Sequence, residues 1–266
     1  KPFFIALGLQ KPHVPFLAPD KYFDLYPFEK ITYETDRPNM WDFLPQSALS
    51  KRYEAFGFEF AKENHALRKE YMQAYHACVS FIDAQLGLVL DGLKKNGLWD
   101  ETVIIFTSDH GYHLGDHFIW GKVTLFDIGA KVPFIVRAPG LTKPGTSSEA
   151  MVELIDIYPT LTDLAGLQAP DHLQGVSLRP LFENSERRGK KKYAYSVVTR
   201  GPKNLGYALR NQNWRYGKWP DGEELYNLRN DPQEKNNLAQ KDHIKERLEE
   251  FRSILQEKQK LIEKSN

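Results

Sequence analysis

Hydrophobic and polar positions change period several times along the chain, and each change predicts an element. Phe3-Phe4-Ile5-Ala6-Leu7-Gly8-Leu9 is apolar without interruption, the pattern of a strand buried on both faces. The two prolines of Lys11-Pro12-His13-Val14-Pro15 stop regular pairing and predict an extended loop. Residues 20–62 mix aromatics, prolines and charges with no sustained period, which predicts a long loop-rich surface insertion placed to line a cleft. From Asn64 the spacing turns helical: Leu67, Tyr71, Ala74, Tyr75, Cys78, Ile82, Leu86, Val89 and Leu93 share one face, and Asn96-Gly97 ends the helix.

Beyond it, Thr102–Thr107 and Lys131–Val136 read as short strands. Ala150–Leu164 reads as a helix closed by Gly166 and kinked or shortened at Pro159. After Gly189-Lys190-Lys191-Lys192 the pattern predicts an antiparallel meander over Tyr193–Val198, Gly206–Arg210 and Trp214–Lys218. The last 25 residues place Ile244, Leu248, Phe251, Leu255 and Leu261-Ile262 on or near one face of a terminal helix.

The order helix, short loop, buried strand predicts an α/β fold with a mainly parallel sheet flanked by helices, followed by a small antiparallel sheet plus helix. The division expected is residues 1–192 for the α/β part and 193–266 for a C-terminal subdomain. A chain of 266 residues with 41% hydrophobic residues is long enough to bury a sizeable core.

A net charge of +1 argues against a nucleic-acid partner, which needs a clear basic excess, but leaves room for an anion held by a few local charges. No apolar run approaches the roughly 20 residues of a membrane span. Cys78 is the single cysteine, so no intrachain disulfide forms, and its helical apolar surroundings predict a buried, inert thiol. The chain opens at Lys1 and enters an apolar run at once, which predicts that an upstream half exists. No Asn-x-Ser/Thr acceptor occurs, which favours a periplasmic or secreted bacterial protein over a lysosomal one.

Candidate chemistry concentrates in Thr107-Ser108-Asp109-His110-Gly111-Tyr112-His113-Leu114-Gly115-Asp116-His117, just past a predicted strand. Three of the eight histidines fall here with two carboxylates. The C-terminal edge of a parallel sheet is where ligands bind, and this composition suits a metal or phosphate-type site. The bland alternative is a polar turn with solvated histidines, and spacing does not say which of Asp109, His110, His113, Asp116 and His117 ligate. Lys122, in Phe118-Ile119-Trp120-Gly121-Lys122, is either a snorkelling surface lysine or a fixed positive charge for an anion. His13 lies in the rigid loop after the first strand. Together they offer an acid for a leaving group and a charge for an oxyanion.

Several ordered segments carry a resemblance to a known family. Lys1–Phe16, Tyr75–Asp83, Phe106–Gly111 with Lys122, and Val152–Leu161 resemble successive parts of sulfatase catalytic domains. Glu224-Leu225-Tyr226-Asn227-Leu228 with Asp231-Pro232-Gln233-Glu234 and Asn236-Asn237-Leu238-Ala239 is similar to the C-terminal strand-turn signature of the same proteins. Asp109-His110, where most sulfatases have Asp-Asn, points to the iduronate-2-sulfatase branch.

The resemblance implies an alkaline-phosphatase-like fold, a calcium ion and hydrolysis of a sulfate ester on a sulfated saccharide such as a uronic acid of a glycosaminoglycan. By position it implies Asp109 and His110 as metal ligands, and His13 and Lys122 as sulfate-contacting catalytic residues. A histidine ligand is unusual for an oxygen-preferring cation, so the calcium rests on the resemblance. The family's formylglycine nucleophile arises in Cys/Ser-x-Pro-x-Arg, which this sequence lacks, and the paired aspartates of the metal site are absent too. Both are expected in the upstream half of the same enzyme, and the chain alone is expected neither to hold calcium tightly nor to turn over. Two other readings stay open: a phosphoryl- or phosphonyl-ester hydrolase of the same superfamily, and a non-catalytic binding chain.

Overall fold

The computed structural model describes residues 1–33, 41–49, 54–55, 57–60, 64–201 and 204–264. The chain divides into two compact units. The first comprises Lys1–Arg37, Lys51–Thr102 and Leu114–Gly121, and the second Pro38–Ser50, Val103–His113 and Lys122–Asn266.

The first unit is organised on helix α1 (His65–Lys95), whose bounds match the periodicity. Asn64 caps its start, its side chain accepting from the Leu67 amide, and Gly97 just past its end takes the left-handed conformation. Tyr71, Ala77 and Cys78 are the buried apolar residues of its face. Tyr71 meets Phe16 and Phe60 edge-on, with ring centroids 4.7 and 4.8 Å apart, and Phe60 stacks on Trp120 at 4.5 Å. Each such pair adds about 0.5–1.5 kcal/mol beyond its buried area. Arg68, also buried, donates to the Phe60 carbonyl at 2.7 Å. The Cys78 thiol is fully buried and burial pushes its pKa up, consistent with an inert thiol.

Three expectations change or sharpen in this unit. Phe3–Leu9 takes no strand conformation and its side chains are largely exposed, Phe4 to 78%. The apolar pattern is there, but a strand forms only against a partner edge, and none pairs with it among the described residues. Within residues 20–62, short helical turns at Asp20–Phe23, Phe28–Lys30 and Gln46–Ala48 punctuate the loop-rich insertion, the last of these in the second unit; residues 34–40, 50–53, 56 and 61–62 lie outside the described set. Finally, α1 is long enough, and over 18 residues apolar enough (mean hydropathy 1.2), to cross a bilayer, although no uninterrupted apolar run is. Its polar residues engage this unit instead: Ser80 bonds Tyr26 at 2.7 Å and Gln73 donates to the Tyr26 carbonyl at 2.7 Å.

In the second unit, strand β1 (Ile104–Thr107) pairs with β2 (Phe134–Arg137), and helix α2 (Asp127–Ala130) lies between them in sequence. The β1–β2 ladder is antiparallel, with Ile105 opposite Val136. The α/β class stands, but among the described residues the parallel pairing expected around β1 is not made. The helix expected over Ala150–Leu164 is shorter: a 3₁₀ turn at Leu154–Asp156 leads into α3 (Ile157–Leu164). The Glu153 and Asp156 side chains cap the turn reciprocally, so the helix starts there. Pro159 then falls in the first turn of α3, where its missing N–H costs nothing, and it neither kinks nor ends the helix.

The C-terminal part is a four-stranded antiparallel meander, β3 (Ala194–Thr199), β4 (Leu205–Arg210), β5 (Trp214–Trp219) and β6 (Gly222–Asn227), followed by helix α4 (Lys245–Lys264). Strand alternation divides its residues cleanly. Leu209 opposes Tyr216, which opposes Leu225, and this row packs against Leu248, Phe251 and Leu255 of α4. The other face carries Ala208, Arg215, Trp219, Glu224 and Tyr226, with Leu125 and Ala48 against Ala208 and Trp219.

Candidate functional site

The turn that follows β1 is built by its own polar residues. The Asp109 carboxylate accepts from the His110 amide at 3.1 Å, and the Ser108 hydroxyl donates to the His110 carbonyl at 2.9 Å. Asp109 is left 84% exposed and His110 36% exposed, with Oδ2 and Nε2 only 3.4 Å apart. His110 Nδ1 lies 2.8 Å from the Gly111 carbonyl, which can only accept. Nδ1 therefore carries the proton and, in the neutral ring, Nε2 carries the lone pair, beside a carboxylate oxygen. These are two converging donors of the kind that hold a cation.

They do not make a complete shell. Among the described residues no group of three or more His, Cys, Asp or Glu side chains is arranged to hold a metal. Asp109 offers an oxygen donor and His110 a nitrogen donor, so the pair by itself could make only part of a cation's ligand set.

The other three candidates in the motif have structural roles. His113 is fully buried and its Nε2 is 2.7 Å from the Thr124 hydroxyl. Asp116 and His117 belong to the first unit. There Asp116 accepts from the Leu114 amide at 3.3 Å, and His117 is buried in a tight turn at φ 55°. Only the pair at the head of the motif is displayed.

Behind the Asp109–His110 turn the packing is backbone against backbone. The Gly111 amide donates to the Gly129 carbonyl of α2 at 2.9 Å. A Cβ on Gly111 would lie 1.9 Å from the Ile128 carbonyl oxygen, and one on Gly129 would lie 2.3 Å from Thr124 Oγ1. Both positions need glycine because nothing larger than hydrogen fits.

Lys122 is half-buried and sits next to Val123, whose φ is 68°. A β-branched residue in the left-handed region is a true outlier, costing roughly 1–3 kcal/mol, and such strain persists where surroundings over-determine the backbone. It fixes the direction in which the chain leaves Lys122.

His13 is in the first unit, exposed, in the two-proline loop. Its amide donates to Gln10 O at 3.0 Å, and Lys11 Nζ bonds the carbonyls of His13 and Pro15. His13 Nδ1 is 2.8 Å from the Val14 carbonyl, so here too the proton sits on Nδ1 and the lone pair on Nε2. The structure therefore brings Asp109 and His110 together, places Lys122 in the same unit, and holds His13 in a fixed loop of the other.

The buried charges of the second unit leave little trace in the sequence. Arg215 is fully buried between the rings of Phe126 and Tyr226, 4.9 and 4.6 Å from their centroids. Its guanidinium bonds Glu234 and, at 3.0 Å, Glu224. Burial alone would lower its pKa; the Glu234 and Glu224 carboxylates more than reverse that and hold it charged. An arginine alternating with Trp214 and Tyr216 in a strand reads in sequence as solvent-facing, so its burial is not legible there.

Similarity to known proteins shows the family of the chain. The sequence profile of the Sulfatase family matches residues 1–167, and that of the N-sulphoglucosamine sulphohydrolase C-terminal region matches residues 115–261. A sulfatase of Formosa agariphila is 38% identical over 259 residues, covering 96% of this chain and 50% of that protein. Human iduronate 2-sulfatase is 30% identical, covering 89% of this chain and 58% of that protein. Among solved structures, a phosphonate monoester hydrolase from Silicibacter pomeroyi superposes with a TM-score of 0.81 at 26% identity, over 94% of this chain and 54% of that one. A protein solved with its substrate D-glucosamine-2-N,6-O-disulfate superposes with a TM-score of 0.70 at 32% identity, over 74% of this chain and 43% of that one. The chain spans about half the length of the curated relatives it matches.

Proposed function

We propose, for a chain that belongs to the sulfatase family, that it supplies the metal-loop half of an enzyme hydrolysing a sulfate ester on a sulfated saccharide. The observation that carries the reading is the Asp109–His110 pair, displayed past β1 with its two donor atoms 3.4 Å apart and its histidine tautomer fixed. A bound calcium would supply Lewis-acid polarisation of the sulfate oxygens. The chain's own residues supply the rest of what it contributes. Breaking the S–O bond leaves an alkoxide on the sugar that must take a proton. His13, held by the Val14 carbonyl at Nδ1, delivers that proton from Nε2 when the ring is protonated. Lys122 places a positive charge against the sulfate.

The formylglycine nucleophile and the remaining metal ligands belong, in this proposal, to an upstream half of the same protein. The apolar run at Phe3, Phe4, Ile5 and Leu7, exposed in this unit, is suited to being covered by it. Similarity to iduronate 2-sulfatase, together with Asp109-His110, supports a 2-O-sulfated uronic acid as substrate and, with the lack of glycosylation acceptors, a periplasmic or secreted setting. A second reading, hydrolysis of a phosphonate or phosphate ester, is favoured by the likeness to the phosphonate monoester hydrolase.

The test is a substrate panel with the full-length protein: a 2-O-sulfated uronate disaccharide, an aryl sulfate and a phosphonate monoester. Turnover of the disaccharide at the highest kcat/KM is expected. Cleavage of the aryl sulfate with the disaccharide left intact would overturn the sugar assignment. A preference for the phosphonate would overturn the sulfatase reading.

A further inference from the structure

The second unit contains a continuous physical path from the C-terminal sheet to the Asp109–His110 turn. Glu234 lies after β6, in Asp231-Pro232-Gln233-Glu234, and its side chain is almost wholly buried. One carboxylate oxygen bonds Arg215; the other accepts from the backbone amide of Asp127 at 2.6 Å. Asp127 opens α2, and its own carboxylate takes Arg210 of β4 at 3.1 Å. Two residues further on, Gly129 accepts from Gly111, directly behind the paired donors. Phe126 runs in parallel: it packs on Arg215 on one side and edge-on to His113 on the other, at 5.9 Å.

Glu234 is held in a costly conformation, φ 55°, which a non-glycine residue adopts only at about 1–2 kcal/mol. Its neighbours enforce it. The Asp231 carbonyl takes the Glu234 amide at 3.1 Å, and the Asp231 carboxylate takes the amides of Lys235 and Asn236 at 3.0 and 2.8 Å. Gly217 leaves room for the charges, since a Cβ there would lie 2.6 Å from Glu224 Oε2 and 2.9 Å from Arg215 Nη1. A buried ion pair is weak evidence for stability by itself. What this one does distinctively is hold a backbone amide of α2.

We propose that Glu234 is a positioning residue for the site: pinned by Arg215, it anchors the start of α2, and α2, through Gly129 and Gly111, fixes the Asp109–His110 turn. Reach, more than charge, is what this role requires. An aspartate keeps the charge and is one methylene too short to serve Arg215 and the Asp127 amide together. A glutamine keeps the reach and an acceptor oxygen for that amide, but it loses the charge and turns its NH2 toward the Arg215 guanidinium, which can only donate.

The experiment compares Glu234→Asp and Glu234→Gln with the parent in the full-length enzyme, measuring kcat, KM and amide hydrogen exchange. The kinetic arm rests on the sulfatase reading; the exchange arm needs no turnover. The expected result is that Glu234→Asp lowers kcat at least tenfold with KM within threefold of the parent. Exchange then accelerates in peptides covering 107–113 and 123–130 while β4–β6 stay protected, and Glu234→Gln keeps more of the parent's kcat than Glu234→Asp does. The reverse order of the two variants, or both within threefold of the parent, would overturn the proposal. So would exchange that is unchanged at 107–113, or accelerated uniformly across the unit. An inactive parent would sink the sulfatase reading, and the exchange comparison would still decide the role of Glu234.

Discussion

The Thr124 hydroxyl lies 2.7 Å from Nε2 of His113, a ring with no exposed surface. One hydrogen bond thus ties the middle of the 107–117 stretch to the segment that begins at Lys122. Removing it with Thr124→Val keeps the shape and deletes the partner, which costs about 1–3 kcal/mol for a buried polar group. A lowered thermal midpoint with unchanged secondary structure is expected in circular dichroism. A variant as stable as the parent would show that this bond contributes nothing.

Gly111→Ala is expected to be more severe. Its new methyl would meet the Ile128 carbonyl oxygen at 1.9 Å, and that atom belongs to backbone held within α2. Relief requires the Asp109–His110 turn or α2 to move. Overpacking of this kind costs typically 1–3 kcal/mol. Calcium titration of the full-length variant should show affinity at least tenfold weaker than that of Gly8→Ala, where a Cβ meets nothing within 4 Å. Equal affinities would remove the close approach from the account.

Asp109→Asn tests the pair directly. The substitution keeps volume and removes the charge that suits a hard cation. Calcium affinity, read by calorimetry on the full-length protein, should fall by at least tenfold with little change in melting temperature, because Asp109 is largely exposed.

His13→Ala and Lys122→Ala should each lower turnover by about 10²–10⁴-fold while the protein stays folded. The losses should differ in kind. Without His13, substrates with a poor leaving alcohol suffer most; without Lys122, all sulfate esters suffer alike. Near-normal rates in either variant would take that residue out of the mechanism.

Acid stability should depend on Glu223. Arg252 donates to its carboxylate and, together with the Tyr216 hydroxyl, holds its pKa down to about 2 from an ordinary 4.5, against burial. The folded state thus keeps the charge over a range where the unfolded chain takes a proton. The contribution is present above about pH 4.5 and is lost as pH falls toward 2. Arg252 is 40% exposed, so after allowance for solvent screening roughly 1–2 kcal/mol is at stake. Melting of the parent and of Glu223→Gln between pH 2 and 5 should converge at the acid end. A constant gap across that range would overturn the assignment.

The sequence by itself determined the elements that carry their own signal: the 3.6-residue period of α1, the alternation of β3–β5, and the buried face of α4 at Leu248, Phe251 and Leu255. Through ordered motifs it also pointed to the family that residues 1–167 match. It could not say which of five acidic and histidine residues face outward, because composition is blind to direction. Tertiary structure decided that, burying His113 under Thr124 and His117 in its turn, and leaving Asp109 and His110 displayed. Phe3–Leu9 shows the same limit from the other side: its apolar pattern permits a strand, and only a partnering edge would make one. The support beneath the site was illegible for a similar reason. Arg215, Glu234 and Asp127 are far apart in sequence, and only the fold brings a carboxylate to a backbone amide 107 residues away.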